Sequence, residues 1–261
     1  MQHRLCTIFL LTYWLQAGIL CSQDLSINTV LQNLNANIHS VSRGVFDIRV
    51  QHKTASVEDT FVFAGTVYFF KDHGSQNPYG HFVCFRQGKL NLAFDGYFYQ
   101  FFNRERKIVR YTVPEHAGLP DLIQENFAMK NGLFLPYLKT DAPAFEFEKH
   151  SQFIIDTNLQ GLNNTLTLLY QYEHINNIES GPNKPDTVRY EIKHTINLPD
   201  YTLRSVTERR YGLESMEYLQ LDFSPIRPLP TDTTLEVIIN WNNLFKEGYR
   251  MVYLNPSAED E

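Results

Sequence analysis

Residues 42–51 read SRGVFDIRVQ, and residues 61–70 read FVFAGTVYFF. In the first stretch apolar and polar side chains alternate, which places the apolar ones on one face of a β-strand and the polar ones on the other. The second stretch repeats the pattern, with Gly65 in its middle, where a missing side chain permits a bend or a close approach. The two stretches predict a curved sheet with one dry, aromatic face and one wet face.

Strand patterns continue along the rest of the chain. One strand follows another up to residue 111, and alternation predicts further strands at 151–159, 165–174, 187–196, 202–210, 216–223 and 235–241. About ten or eleven strands with short links favour an antiparallel meander that rolls up over the helices. No period of 20 to 50 residues repeats, so a propeller or a solenoid is not expected.

Two helices are predicted among these strands. The first covers residues 25–39, with Asp24 or Ser26 able to cap its start. The second begins at Pro120 and ends at Asn131-Gly132. The first helix needs an apolar surface beneath it, because its apolar residues recur on one face. These residues are Ile27, Val30, Leu31, Leu34 and Ile38.

The first residues have the layout of an export signal. A short basic start precedes an almost wholly apolar run from Leu5 to Leu20, and small and polar residues return at Cys21. About 16 apolar residues fall below the roughly 20 that a membrane-spanning helix needs. We therefore expect residues 1–22 to be removed, with an uncleaved anchor and a lipid-modified Cys21 as the alternatives. The mature chain then has no integral membrane span.

Cysteine count and charge restrict the function further. Cys84 stays alone after export, since Cys6 and Cys21 leave with the signal, so the stability must come from a hydrophobic core rather than from a disulfide. The net charge is −6, and acidic and basic residues are interspersed. This pattern gives no electrostatic support for binding to nucleic acid or to an anionic membrane. One domain is predicted over 23–245, followed by a C-terminal tail over 246–261.

The order of elements resembles that of a known family. The helix at 25–39 is followed by SRGVFDIRV at 42–50, by GTVYFFK at 65–71 and by FDGYFY at 94–99. This order is similar to that of the periplasmic lipoprotein carriers of the LolA type and their outer-membrane LolB-like relatives. The likeness covers most of residues 25–225. It is greatest for the LolA-like module that precedes TlpA-type thioredoxin domains in bacterial exported proteins.

This resemblance implies a fold, a ligand and a set of site residues. The implied fold is mainly β, an incomplete antiparallel β-barrel whose concave side is plugged by a few helices around an apolar cavity. The implied partners are the acyl chain of a lipid or lipoprotein and an envelope protein, without a cofactor. The lid helix would contribute Ile27, Val30, Leu31 and Leu34. The side chains predicted to line the cavity are Phe46, Ile48, Val50, Phe61, Phe63, Val67, Phe69, Phe94 and Phe98.

One departure from the family concerns the attachment of the lid. In the carriers an Arg-Pro pair follows the second strand and its Arg tethers the lid, whereas this chain reads KDHG at 71–74. Lys71 is either a weaker substitute for that Arg or a solvated cation at the end of a strand. The residues leave both interpretations open.

Signatures of catalysis are missing from the sequence. The nine histidines include none in HExxH or HxH spacing, and the chain contains no GxSxG, no CxxC and no phosphate-cradling glycine-rich loop. Paired carboxylates of the glycosidase kind stay open, because spatial pairing is not visible in a sequence. We therefore expect neither an enzyme nor a metal site.

Two functions of different classes remain. The first is an exported carrier, periplasmic or associated with the cell envelope, that holds an acyl chain in an unfilled cavity beneath the helix at 25–39. The second is a non-catalytic structural or interaction module of an envelope assembly, whose cavity is filled by its own aromatic side chains. Such a module would show an exposed apolar patch or a long unpaired edge strand.

Overall fold

The computed structural model describes residues 26–53, 60–71, 80–113, 138, 140, 152–158, 165–176, 186–198, 200–211 and 216–254. The helices within these residues are α1 Ile27–Ser40, α2 Leu235–Ile239 and α3 Trp241–Lys246. The strands are β1 Arg43–Lys53, β2 Phe61–Phe70, β3 His81–Arg86, β4 Lys89–Phe94, β5 Tyr99–Asn103, β6 Ile108–Thr112, β7 Gln152–Asn158, β8 Thr165–Asn176, β9 Asp186–Asn197, β10 Thr202–Tyr211, β11 Met216–Phe223, β12 Arg227–Pro228 and β13 Arg250–Tyr253.

The strands form one open and mostly antiparallel sheet. Its order is β13-β6-β5-β4-β3-β2-β1-β11-β10-β9-β8-β7, with β12 beside β1. Every neighbouring pair is antiparallel except β13, which runs parallel to β6. Within the described residues the two end strands, β13 and β7, do not pair with each other, so the sheet is not closed. This confirms the predicted mainly β class and the incomplete barrel, with 13 strands in the described part of the chain instead of about ten or eleven.

Strands β1 and β2 pair as their alternation predicts. Phe46 lies opposite Val67 on one face, and Asp47 lies opposite Thr66 on the other. Asp47 accepts hydrogen bonds from Thr66 Oγ1 at 2.8 Å and from Arg227 Nη2 at 3.0 Å. One face of this strand pair is therefore apolar, and the other carries hydrogen-bonded polar side chains.

Each face of the sheet carries its own apolar core. We call the face covered by α1 the concave face and the opposite face the convex face. The core of the concave face includes Val30, Leu34 and Ile38 of α1, all completely buried. The core of the convex face lies on the β2–β6 half, where α2 contributes Leu235 and Ile239. Strand alternation divides neighbouring side chains between the two cores.

Helix α1 forms close to the predicted bounds. Ser26 caps it, since its Oγ accepts a hydrogen bond from Thr29 N at 3.2 Å. The buried positions of the helix repeat every four residues, while Ile27 and Leu31 are only partly buried. None of the described helices is long and apolar enough to cross a membrane.

The strand predicted at 235–241 is wrong, because this segment is helical. Thr234 Oγ1 caps α2 by accepting a hydrogen bond from Val237 N at 3.4 Å. Leu235 and Ile239 are buried four residues apart, which is the spacing of a helix face rather than of a strand. The β-branched residues favoured a strand, but the cap and the packing on the convex face decide the structure.

The segment predicted as a C-terminal tail, 246–261, contains strand β13. Arg250 N donates to Lys107 O at 2.9 Å, and Leu254 N donates to Tyr111 O at 2.9 Å. A four-residue strand is too short to show a clear alternation, so the sequence pattern did not predict β13. Its pairing with β6 defines it. The helix predicted from residue 120 and the signal segment 1–22 lie outside the described residues.

Candidate functional site

Most of the side chains predicted to line a cavity lie together on the concave face. Phe63 is partly buried and packs against the edge of that core. Phe61 is 54% exposed at the start of β2. Phe98 contacts the ring of Tyr111, with 5.5 Å between ring centroids, and lies outside the concave core. The remaining predicted residues are buried within the concave core: Phe46, Ile48, Val50, Val67, Phe69 and Phe94.

The concave core has an aromatic half and an aliphatic half. In the aromatic half, the ring of Phe46 lies 6.0 Å from that of Phe69 and 6.1 Å from that of Phe223, and Phe94 stacks on Tyr99 at 4.6 Å. Such ring pairs contribute about 0.5–1.5 kcal/mol each beyond their buried area. The two halves give a continuous apolar surface beneath α1. The aliphatic half, on β8 to β11, contains Leu166, Leu168, Ile192, Ile196, Leu203, Val206, Leu219 and Leu221.

Two polar contacts attach helix α1 to the sheet. Lys71 Nζ donates to Ile38 O at 2.6 Å, and Asn37 Nδ2 donates to Asp200 O at 3.1 Å. The lysine therefore contacts the last turn of the helix, where free carbonyl groups favour a cation. Burial lowers the pKa of Lys71 to about 8. Of the two interpretations of Lys71, contact with the lid helix is the one found in the structure.

Two glycines let neighbouring groups approach the backbone closely. A Cβ at Gly65 would lie 3.0 Å from Phe85 O and 3.1 Å from Ile48 Cγ1. A Cβ at Gly44 would lie 2.9 Å from the Phe69 ring, which is closer than such contacts occur. The close approach predicted at Gly65 is therefore confirmed, and Gly44 provides a second one.

Burial holds two ionisable side chains, the thiol of Cys84 and the imidazole of His194, in their neutral forms. Complete burial raises the pKa of the Cys84 thiol well above its usual range, so the thiolate is disfavoured. Burial also lowers the pKa of His194 to about 4. No group of three or more metal-ligating side chains occurs among the described residues. Cys84 thus behaves as a small, buried apolar residue.

A groove of about 450 Å³ opens at the rim of the sheet, at the tips of the β3–β4 and β5–β6 hairpins. We call it the basic pocket and define it by four cationic side chains: Arg86, Lys89, Arg104 and Arg110. Phe101 of the concave core also lines it, and Glu105 is its acidic residue. Sequence reasoning missed this pocket because its cations are separated along the chain and meet only through strand pairing.

A second pocket, of about 220 Å³, lies beside strands β10 and β11. Burial raises the pKa of its Glu208, and the nearby Glu217 carboxylate raises it further, whereas the Arg210 charge opposes the rise. Arg210 Nη1 lies 3.5 Å from Glu217 Oε2. Arg210 and Glu217 of this pocket are thus paired with each other.

The fold and the site define a class: an open antiparallel half-barrel with a helix packed on an aromatic concave face. No family model matches the chain, and no curated protein matches it. Among solved structures the chain is similar to a LolA superfamily protein from Nitrosomonas europaea, with 10% identity, 79% of this chain and 96% of that chain covered, and a TM-score of 0.31. It is also similar to an outer membrane lipoprotein-sorting protein domain from Vibrio parahaemolyticus, with 9% identity, 82% and 96% coverage, and a TM-score of 0.35.

Proposed function

We propose that this protein is a non-catalytic carrier that takes the acyl chain of a lipid or lipoprotein between α1 and the concave face. The observation that carries the proposal is the construction of this interface. Among the described residues, the helix that covers this continuous apolar surface is α1, attached through three fully buried aliphatic side chains and the polar contacts of Lys71 and Asn37, and Leu138 is buried in the same core. A cover of this kind can be displaced by another apolar group without breaking the sheet.

The free energy that holds α1 on the sheet is similar to the free energy that an acyl chain would gain by binding in its place. Burying one aliphatic side chain contributes about 1.5–3 kcal/mol, so Val30, Leu34 and Ile38 together contribute roughly 5–9 kcal/mol to holding the helix. An acyl chain contributes about 0.8 kcal/mol per buried CH₂, so ~10 methylenes supply a similar amount. A ligand can therefore replace the helix at little net cost, and leave again at a similar cost. That reversibility is what a carrier requires.

The proposal includes export and the absence of catalysis. The apolar segment before residue 22 supports export to the periplasm or cell envelope. The neutral, buried state of Cys84 and His194 supports a binding role rather than a catalytic one. Mass spectrometry of the protein isolated from its host would measure both the mature N-terminus and any lipid that co-purifies.

The direct test compares two alanine substitutions in helices on opposite faces. Leu34→Ala weakens the helix that competes with the ligand, and we expect delipidated protein to bind a fluorescent fatty acid about tenfold more tightly. Ile239→Ala removes a similar side chain from α2 on the convex face, and it should leave the affinity unchanged. Both variants should lose about 2–5 kcal/mol of unfolding free energy, so only the affinity separates the two sites.

Two results would contradict the carrier proposal. One is a delipidated, folded wild-type protein that takes up no fatty-acid probe. The other is an equal change of affinity in the Leu34 and Ile239 variants, because binding would then follow global stability rather than release of α1. Phe69→Trp adds bulk under the helix and should lower the affinity, whereas the matched Phe61→Trp at an exposed position should not.

A second candidate is the interaction module of an envelope assembly. It is favoured by the complete burial of the apolar side chains under α1. It is also favoured by exposed apolar side chains on α3 and the edge strand β13: Phe245, Met251, Val252 and Tyr253. A folded protein without lipid uptake, whose association in sedimentation experiments is abolished by Met251→Lys, would support this candidate over the carrier.

A further inference from the structure

We propose that the basic pocket binds the anionic headgroup, a carboxylate or a phosphate ester, of the amphiphile whose acyl chain enters under α1. This inference rests on the proposed function and specifies its substrate class: an anionic amphiphile rather than a neutral one. The pocket would supply several charged groups to orient the ligand at the rim of the concave face.

The charge of the pocket is opposite to that of the chain. Four cationic side chains and one carboxylate line about 450 Å³, whereas the whole chain carries a net charge of −6. Within the described residues Arg86, Lys89 and Arg104 have no ion-pair partner. Clustered like charges in a concave site concentrate field lines and attract a counter-ion. An anion would relieve their mutual repulsion.

A tight turn fixes two of the cations side by side. Arg86 and Lys89 are register partners across the β3–β4 hairpin, and partners in an antiparallel pair project from the same face. The two residues between them, Gln87 and Gly88, both have positive φ, at 52° and 72°. Such a turn is the geometry that closes a two-residue hairpin. The position of both charges is therefore set by the backbone.

The pocket borders both apolar cores, through Phe102 of the convex core and through Phe101 of the concave core. Phe101 is 4% exposed within the concave core and also lines the pocket, and its register partner across β5–β6 is Arg110. The guanidinium of Arg86 lies 4.5 Å from the ring centroid of Phe63, which packs against the edge of the same core. Cations thus stand at the boundary between polar and apolar surface. A headgroup bound at that boundary would place the acyl chain of the ligand next to the core. The planar guanidinium of an arginine matches the geometry of a carboxylate or a phosphate.

The test uses the mature chain and four probes of matched chemistry: dodecyl phosphate, dodecanoate, dodecanol and inorganic phosphate. Competition against a bound fluorescent fatty acid at low ionic strength measures each affinity. We expect the two anionic amphiphiles to bind roughly tenfold more tightly than dodecanol, and added salt to reduce the difference. Arg86→Gln and Lys89→Gln should lower the affinity for the anionic probes alone. Arg204→Gln and Lys193→Gln, at exposed positions outside the pocket, should have no effect.

The outcomes separate this inference from the proposed function. Equal affinities for dodecanol and dodecyl phosphate, or a ratio that Arg86→Gln leaves unchanged, would overturn the headgroup assignment while the carrier proposal stands. Failure of all three chain-bearing probes to bind would overturn the carrier proposal. Inorganic phosphate that binds as tightly as dodecyl phosphate would make the pocket a free-anion site and also overturn the headgroup assignment. The stronger of dodecanoate and dodecyl phosphate identifies which headgroup the pocket prefers.

Discussion

The sheet has two apolar cores, and they differ in how their covers are attached. Helices α2 and α3 cover the convex face and are continuous with strand β13, which is part of the sheet. Side-chain contacts add to that attachment: Lys107 Nζ donates to Glu247 O at 2.6 Å, and Arg43 Nη1 donates to Thr231 O at 2.6 Å. Helix α1 covers the concave face. It runs into β1 at its C-terminal end, and it otherwise contacts the sheet through Val30, Leu34 and Ile38 and through the polar contacts of Lys71 and Asn37.

The difference teaches that similar burial can serve two purposes. On the convex face a short cover is tied into the strand ladder, so it opens only when the sheet itself is disrupted. On the concave face the helix among the described residues is α1, and its removal leaves the strand ladder intact. A low-cost local opening is the property that ligand-binding elements share. The predictions below therefore compare substitutions on the two faces.

The largest effect is expected from a pair of adjacent phenylalanines. Phe69 belongs to the concave core and Phe70 to the convex core, and both are essentially fully buried. Each substitution to alanine should lower the unfolding free energy by about 3–5 kcal/mol, measured by urea denaturation. Only Phe69→Ala should change the affinity for a fatty-acid probe. A change of equal size in Phe70→Ala would mean that the two cores are coupled and that the comparison between them fails.

Local alternation was enough to predict most of the strands and the face that carries the aromatic residues. Phe46, Ile48 and Val50 lie on the concave face because a period of two leaves no other arrangement once one face is buried. Residues 235–241 were predicted as a strand, a structure that the β-branched Val237, Ile238 and Ile239 favour. Only the convex face, formed by strands more than a hundred residues earlier, makes the helix favourable.

The candidate site could be predicted only in part. Strand patterns predict the aromatic surface, but they do not show where the core under the helix ends. They therefore could not reveal that Phe61 is exposed and that Phe98 lies outside the core. The basic pocket depends on strand pairing between β3, β4, β5 and β6, which brings separate cations to one rim. Charge counted along the chain could not reveal it.

The second prediction concerns acid stability on the aliphatic half of the concave core. His194 has a pKa of about 4 in the folded protein, against an ordinary value of 6.5. Between these values the unfolded chain binds more protons, so the unfolding free energy falls as the pH decreases through this window, by up to about 3 kcal/mol at pH 4. His194→Leu should flatten the dependence in urea denaturation at pH 4.5 and 7, whereas His52→Gln, at the half-buried rim, should retain it. An unchanged slope in His194→Leu would assign the acid sensitivity to other groups.

The smallest effect is expected at the contact between Lys71 and helix α1. The folded pKa of about 8 lies below the ordinary value of 10.5, so the unfolded chain binds more protons between these values and the unfolding free energy rises with pH across this window. At pH 7 the unfolding free energy of the Lys71→Met variant should differ from that of wild type by less than about 1 kcal/mol, because the lost hydrogen bond to Ile38 O is offset by the relieved cost of burying a charge.

Opening of α1 exposes Lys71 to water and restores its ordinary pKa, so protonation favours the open state. Uptake of a neutral probe such as dodecanol should therefore fall about threefold from pH 7.5 to 9.5 in wild type and stay constant in Lys71→Met. Lys193→Met, an exposed cation on β9, serves as the control and should behave as wild type. If Lys71→Met keeps the pH dependence of uptake, the lysine does not control the helix, and α1 is held by its apolar side chains alone.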